Sequence, residues 1–530
     1  AVYEPASPEG GTTIALPLYT LLISENGGIR SYILEEYKTR DTGISQVEQQ
    51  LKRTEQQFRQ QGADPNSSLL YSINKLRYHL SHLKKSGGNE GVELVSFGEL
   101  YHNSLFPSVE LRNKDNKLIW GEKGKYKFVK TESNRIQLIQ EIPDFGTIKK
   151  ELTFNPDSYL IDVKIILENT GSSVSEPYDL ILTCGPDIGI DEGVKGFTNL
   201  VPLALVNNQI KKEQFGRDSK NKTIEKTEYG EVGWVALQDK YFAKIIIPRE
   251  KVSGAYINKN EYEEYKVGLK TEIPSLQPSE SREFSFGVYA GPKKLEYLNQ
   301  VGKDTAKIVD YGVFGNLFQI VYVLKFFYRL THNYGLAIIL LTILISLILL
   351  PLSLKSFKSM KEMRKLQPEM EKIRKEFKDD PQRMNKEVME LYKRHKVNPV
   401  GGCLPMFLQM PIFVGLFMTL RSVIELRGAP FVLWIKDLSL PDALTLPFSL
   451  PFQLGASINV LPLIMTGVTF LQQKVSGSSG TSKMMMLFFP IFLFFIFYNF
   501  PAGLVLYFLC SNVINILEQL WINRSGSKKV

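Results

Sequence analysis

The chain has 530 residues, 22% charged and 44% hydrophobic, with a formal net charge of +9 and three cysteines. That length allows several domains, while Cys184, Cys403 and Cys510 show neither a pairing pattern nor a metal-ligand spacing, which argues against a disulfide scaffold or a zinc module. Charge is unevenly shared: residues 1–310 carry 40 Lys+Arg against 43 Asp+Glu, whereas residues 311–530 carry 24 against 12. The basic excess therefore belongs to the hydrophobic half, the pattern of a membrane protein's cytosolic side rather than of a nucleic-acid surface.

The chain opens on a polar lead-in at residues 1–11 with no signal peptide. From residue 12 to about 290, apolar and polar residues alternate with period two between turn residues, the mark of half-buried strands. Residues 13–24 and 29–37 read as two strands around the turn Glu25-Asn26-Gly27-Gly28. Further strands are expected at 118–120, 125–130, 136–140, 148–154, 160–167, 178–183, 234–237, 241–248 and 281–289. Many short strands at this spacing predict a β-sandwich over residues 1–300. Residues 43–62 and 67–85 break the alternation and predict an inserted helical pair, read as a solvated excursion, with a partner-docking arm as the other reading. A sandwich of this size could hold a carbohydrate site. Asp187, Asp191 and Glu192 lie near Gly185 and Gly189, and His102 beside Tyr101, but without a fixed spacing such residues read as loop caps. No catalytic residue is assigned.

The second half changes character. Residues 311–332 place Val313, Leu317, Ile320, Val321, Leu324 and Phe327 near helical spacing, with Lys325 and Arg329 as the only charges. An amphipathic helix lying in the membrane interface is expected. Residues 333–353 follow as an uncharged membrane span. Residues 354–397 predict a charged helical hairpin: 14 Lys+Arg and 8 Asp+Glu surround Met360, Met363, Leu366, Met370, Ile373 and Phe377, then Asp379-Asp380-Pro381 breaks the helix before Val388, Leu391 and Tyr392. The interleaved acids argue against nucleic acid. Four further spans are expected within 401–522, at 402–420, 456–471, 484–498 and 502–521, before a short basic tail at 523–530. Two of them are only about 15 or 16 residues long, short enough to thin a bilayer around them. The hairpin, the 474–483 loop and the tail are basic and the 422–453 loop is nearly balanced, so the hairpin and C-terminus are expected in the cytosol and the β-domain outside. An exterior β-domain in turn implies a membrane anchor ahead of residue 1.

No intramembrane catalytic set is visible. The only histidines of this half, His332 and His395, lie outside the spans, and the one acid within a span, Glu518, is near its cytosolic end. This argues against an intramembrane hydrolase, a metal site and a proton-coupled transporter. No Gly-rich phosphate loop is present, and no cofactor is expected. What the spans do hold is neutral polarity: Thr342, Ser346, Gln409, Asn459, Ser511, Asn512, Asn515 and Gln519. Of these, Asn512, Asn515 and Gln519 share one helical face. Such residues serve either as interhelical hydrogen bonds or as the lining of a hydrated groove.

Four stretches carry a family resemblance. They are Asn398-Pro399-x-Gly401-Gly402-Cys403-x-Pro405, Gln409-Met410-Pro411-Ile412-Phe413, Glu425-Leu426-Arg427-x-Ala429-Pro430-Phe431 and Phe500-Pro501-x-Gly503-Leu504-Val505-Leu506-Tyr507. With Lys365-Leu366-Gln367-Pro368 they resemble the YidC/Oxa/Alb insertases. In the first half, Trp234-x-Ala236, Tyr241-Phe242 and Gly291-Pro292-Lys293 resemble the periplasmic domain of the Gram-negative type. The resemblance implies a periplasmic β-supersandwich joined to a five-helix membrane core in the bacterial inner membrane, and a protein that moves hydrophobic segments of newly made proteins into that membrane. It implies a substrate groove of Thr342, Ser346, Gln409, Asn512 and Asn515, and a hydrophobic slide of Phe407, Met410, Phe413, Phe492 and Tyr507. The hairpin, with Lys365, Gln367 and Pro368, would receive the substrate. Implied partners are nascent membrane proteins and lipids, with the Sec translocon and, weakly through the basic tail, the ribosome; no direct nucleic-acid recognition is implied. Three departures stand out: the additional N-terminal membrane helix with which the family usually begins is not among these residues and is expected ahead of residue 1, Ser346 occupies the position where the family usually has Arg or Lys, and Phe508 follows Tyr507 where a second tyrosine is common. Readings from other classes are a membrane-anchored carbohydrate-active enzyme using the β-domain, and a solute transporter.

Overall fold

The computed structural model describes residues 11–24, 29–38, 44–60, 68–86, 91–95, 106–121, 126–132, 134–186, 188, 200–213, 222–261, 264–302, 304–395, 397, 404–450, 455–476 and 483–527. They fall into two units, Ala1–Ile308 and Val309–Val530.

The first unit is mainly β. A nine-stranded antiparallel sheet runs, edge to edge, through Gln209–Lys212, Val201–Val206, Val232–Gln238, Phe242–Pro248, Ser281–Pro292, Leu160–Asn169, Gly146–Phe154, Arg135–Ile142 and Lys127–Glu132. A six-stranded sheet packs against it in the order Ile224–Tyr229, Gly254–Lys259, Tyr265–Ile273, Tyr178–Cys184, Ser108–Arg112, Leu118–Gly121. The central strand Leu160–Asn169 shows why the sandwich forms. Ile161, Val163, Ile165 and Leu167 point one way and are all buried, each contributing roughly 1.5–3 kcal/mol of gross transfer energy. Val163 pairs with Leu152 on one side and Phe286 on the other.

A separate four-stranded sheet comprises Gly11–Ala15, Tyr19–Ser24, Ile29–Lys38 and Gly91–Glu93. The single strand expected at 13–24 is thus two, folded back so that Ile14 faces Leu21. Pro17 explains the fold-back: it has no N–H for a ladder and a fixed φ suited to a turn, and Leu16 N–H donates across it to Tyr19 O. Helices α1 (Ile44–Gln60) and α2 (Ser68–Ser86) are inserted between the third and fourth strands of this sheet. Asp187, Asp191, Glu192, Tyr101 and His102 lie outside the described residues.

One ion-pair network in this unit carries a prediction. The buried Arg112 guanidinium donates to Glu225 (2.8 Å), Glu110 (2.8 Å) and the Tyr256 hydroxyl (3.2 Å). Burial alone would push the Glu225 carboxyl up, but its bonds from Arg112, Tyr256, Asn116 and Asn258 hold it below the usual carboxylate range. A depressed carboxylate adds stability that is full above its unfolded pKa and is lost as pH falls through the folded value. Acid unfolding should therefore shift to higher pH in Arg112→Met. At neutral pH that variant should lose about 2–4 kcal/mol, less than for a fully buried pair because Glu225 is partly exposed. Urea unfolding of the full chain in detergent, followed by tryptophan fluorescence at several pH values, checks both.

The second unit is helical after the short helix α3 (Leu295–Val301) that closes the first. Helices α4 (Gly312–Leu317) and α5 (Ile320–Thr331) replace the single interfacial helix expected at 311–332. The break falls at Gln319, whose φ of 52° ends one helix before the next begins. Helix α6 (Tyr334–Lys365) runs through Pro351 without interruption, so the apolar stretch and the start of the charged one form a single rod, with no boundary at 353. Neighbouring packing tolerates the hydrogen bond that proline forfeits.

Helices α7 (Gln367–Glu376) and α8 (Pro381–Arg394) form the hairpin over a small core of Leu366, Met370 and Leu391. Asp380 caps α8 through Arg383 N–H at 3.0 Å. Then follow α9 (Leu404–Ser422), a strand pair Ala443–Leu450 and Gly455–Asn459, α10 (Val460–Ser476), α11 (Lys483–Phe497) and α12 (Ala502–Ser527). The helix expected from 456 starts four residues later because Gly455–Asn459 pairs as a strand, and α12 extends into the sequence read as a tail. Among the described residues two helices, Tyr334–Met363 and Ala502–Ile522, are long and apolar enough to cross a membrane, and Phe488–Phe497 is a shorter apolar helix.

Candidate functional site in the helical half

Polar side chains within the apolar helices meet in pairs. Gln409 on α9 donates through Nε2 to the hydroxyl of Tyr507 on α12 at 2.6 Å. Tyr507 is only 1% exposed, so this residue, expected on the hydrophobic slide, instead stands beside Gln409 inside the bundle. On the same helix Asn512 donates through Nδ2 to Thr469 Oγ1 of α10 at 3.0 Å. The Thr469 hydroxyl in turn donates to Met465 O at 2.7 Å. Thr469 was not singled out from sequence: one threonine in an apolar run is commonplace, and only its partner distinguishes it.

The other expected groove residues are placed differently. Thr342 is buried and its hydroxyl donates to Ile338 O one turn back at 2.7 Å, so its hydrogen bond is made within α6. Ser346 stands one turn further along, half-buried, as are Asn512 and Asn515. Of the slide residues, Met410 is 53% and Phe492 47% exposed, while Phe413 is half-buried against Phe508 at 4.9 Å between ring centroids. The side chain of Phe407 lies outside the described residues. In the hairpin Lys365 pairs with Glu362 (2.9 Å), Gln367 donates to Glu371 (3.2 Å) and Pro368 sits in the first turn of α7. These are local surface contacts and helix-start chemistry.

Three features hold the frame. Asp442, 3% exposed, accepts from the backbone N–H groups of Val460 (2.9 Å) and Leu461 (2.7 Å) and from the Trp434 indole (3.0 Å), so one carboxylate caps α10 and fixes the preceding loop. Lys325 on α5 pairs with Glu425 in the 3-10 turn Ile424–Leu426 at 2.6 Å. Helix α4 lies close on α9, where a Cβ on Gly415 would fall 3.0 Å from the Phe314 carbonyl carbon and one on Gly315 would fall 2.6 Å from Thr419 Oγ1. Only glycine permits that approach.

Comparison with known proteins gives this arrangement a family. Residues 104–324 match the model of the YidC periplasmic domain, and residues 326–529 match that of the 60Kd inner membrane protein. The membrane protein insertase YidC of Geobacter sp. (strain M21) is 35% identical over 460 residues, covering 85% of this chain and 82% of that protein. The chain belongs to the YidC membrane protein insertase family. YidC of Syntrophobacter fumaroxidans is 37% identical over 397 residues, covering 72% of this chain and 70% of its own. A solved YidC insertase with its first transmembrane domain resolved aligns over 96% of this chain and 92% of its own at 17% identity and a TM-score of 0.37. As a YidC-family inner-membrane insertase the protein is not an enzyme, and the carbohydrate-active and transporter readings fall away.

Proposed function

We propose that this chain moves hydrophobic segments of newly made proteins from the cytosol into the inner membrane through a groove between α6, α9, α10 and α12. The observation that carries the reading is that polar side chains from three of these helices meet within the apolar bundle, the half-buried Gln409 and Asn512 and the buried Thr469, in a half that also exposes apolar residues of α9 and α11. A polar flank meeting those amides loses less of its hydration energy than it would in hydrocarbon. An adjoining apolar segment can leave along Met410, Phe413 and Phe492. In this reading five helices, α6 and α9–α12, form the core, α4 and α5 lie in the outer interface, the hairpin α7–α8 is cytosolic and receives substrate, and the β-unit is periplasmic. The Sec translocon and the ribosome are proposed partners on the family's account.

Reconstituted vesicles test the reading: purified protein should insert a small single- or two-span substrate that empty vesicles leave outside. Ser346→Arg probes the groove itself. A charge at the centre of a lipid-facing span costs about 2.5–3.5 kcal/mol, so the variant should stay folded only if water reaches this face of α6. The expected result is a folded protein that inserts a reporter with an acidic flank several-fold faster. Aggregation, or slower insertion of that reporter, would falsify a hydrated groove at Ser346.

A further inference from the structure

Among the described residues, nine that are not glycine have a positive φ. Eight of them are Asn, Asp, Ser, Gln or His; the ninth is Leu433, with φ 54°. Short polar side chains ease this conformation by bonding to nearby backbone, and a branched apolar one does not. Leu433 is also 85% exposed, the highest figure for any large apolar side chain among the described residues, and Val432 beside it is exposed too. The surroundings enforce the shape. Phe431 N–H donates to Ile435 O (2.9 Å), Ile435 N–H donates to Val432 O (3.1 Å), and the Trp434 indole is tied to Asp442. A strained turn that holds a leucine away from the protein calls for something outside to receive it.

The turn stands at one end of the helical unit. Asn333, just before α6, donates through Nδ2 to Phe431 O at 3.3 Å, and the Phe431 ring lies so near Gly335 that a Cβ there would overlap it. Further along, the same segment meets the start of α12, where Ala502 N–H donates to Leu440 O (2.7 Å) and Gly503 N–H to Leu438 O (2.8 Å). Among the described residues α6 and α12 hold the two stretches long and apolar enough to cross a membrane. Both begin here, so the bilayer surface passes close to this segment. Helix α5 ends at the same place, with Tyr322, Phe326 and Leu330 exposed along one face at i, i+4, i+8. The exposed charge nearest to the tip in sequence, Lys436, has the sign that phospholipid phosphates attract.

We propose that Val432 and Leu433 form a shallow membrane anchor, dipped among the upper acyl chains of the leaflet at which α6 and α12 begin. The proposal rests on the placing of α5 in that interface given above. Only the side chains enter, because an irregular turn exposed to lipid has no place in the hydrocarbon centre. Tied to α6 through Asn333 and to α12 through Leu438 and Leu440, the anchored turn sets the depth at which both helices start. Glycine at position 433 would relieve the backbone and forfeit the contact with lipid.

The test uses the full chain, with Cys184, Cys403 and Cys510 replaced by alanine, in vesicles of phosphatidylcholine and phosphatidylglycerol. A fluorescent nitrobenzoxadiazole group is attached, one site at a time, to Leu433→Cys, Val432→Cys, Phe326→Cys on α5, or Ser279→Cys in an exposed left-handed turn of the β-unit. With iodide on both sides of the bilayer, quenching at Leu433→Cys and Val432→Cys should be several-fold weaker than at Ser279→Cys. A lipid nitroxide near the top of the acyl chain should quench both tip labels, and more strongly than one near the chain's end. In the Val432→Cys protein, adding Leu433→Asn, which suits the left-handed backbone but not lipid, should raise iodide quenching, and adding Leu433→Met should not. Iodide quenching of the tip labels as strong as at Ser279→Cys overturns the anchor. Shielding from iodide without quenching by either nitroxide also overturns it, since protein then covers the turn. So does a Val432→Cys label that ignores Leu433→Asn. A Phe326→Cys label open to iodide is a different outcome, which overturns the interfacial placing of α5.

Discussion

Asp442→Ala should lower the melting temperature of the helical unit by roughly 6–12 °C and reduce the amount of folded protein in the membrane. The carboxylate meets three donors at once: two N–H groups at the start of α10 and the Trp434 indole. Loss of an ordinary N-cap costs about 0.5–2 kcal/mol. Here the site is 3% exposed, so the stranded donors find no water and each adds a desolvation cost of about 1–3 kcal/mol. Allowing for relaxation, a total of about 3 kcal/mol converts to the shift above for a unit of this size. Asp442→Asn keeps an acceptor of the same shape and should lose only about 1 kcal/mol. Trp434→Phe should lose less than Asp442→Ala, and the double variant should fall short of the sum, since both remove one shared bond. Thermal melts in detergent, read by near-UV circular dichroism, give all four values. A melting point in Asp442→Ala equal to that of the unsubstituted protein would show that α10 does not depend on this cap.

Asp442 also marks where sequence reasoning stops. It lies 18 residues before the helix it caps, so no local capping pattern announces it, and the 422–453 loop reads simply as charge-balanced. Strands with clean alternation, such as Leu160–Asn169, are legible because one face is dry and the other wet. Val201–Val206 is not: its residues are buried on both faces and include Pro202, so period two disappears. Gly254–Lys259 escapes notice for the same reason, being largely covered on both sides. In the helical half the apolar runs were readable, yet which side chains face inward was not. Tyr507 looked like one more aromatic on a lipid-facing surface, and only the approach of Gln409 from α9 shows it as an interior hydrogen-bond partner. Thr342, conversely, looked available to a groove while its hydroxyl is engaged by its own helix.

The largest functional effect is expected from removing the two interhelical amides together. Gln409→Leu with Asn512→Leu should slow insertion of a reporter with a polar flank about thirtyfold, and each single change about five- to tenfold. Losing one compensating hydrogen bond for a polar group leaving water costs roughly 1–3 kcal/mol in proteins, and about 1.4 kcal/mol corresponds to a factor of ten in rate. The difficulty is that Gln409→Leu also strands the Tyr507 hydroxyl, which would weaken the bundle whatever the groove does. Adding Tyr507→Phe separates the two effects, because replacing both partners by apolar groups removes the stranded atom. The pair Gln409→Leu/Tyr507→Phe should regain most of the lost stability while insertion stays as slow as in Gln409→Leu alone, since no amide remains at position 409 to meet the substrate's flank. If insertion recovers along with stability, the Gln409–Tyr507 bond is only a clamp between α9 and α12, and the polar path must be sought on α10 and α12, where Asn512 and Thr469 meet.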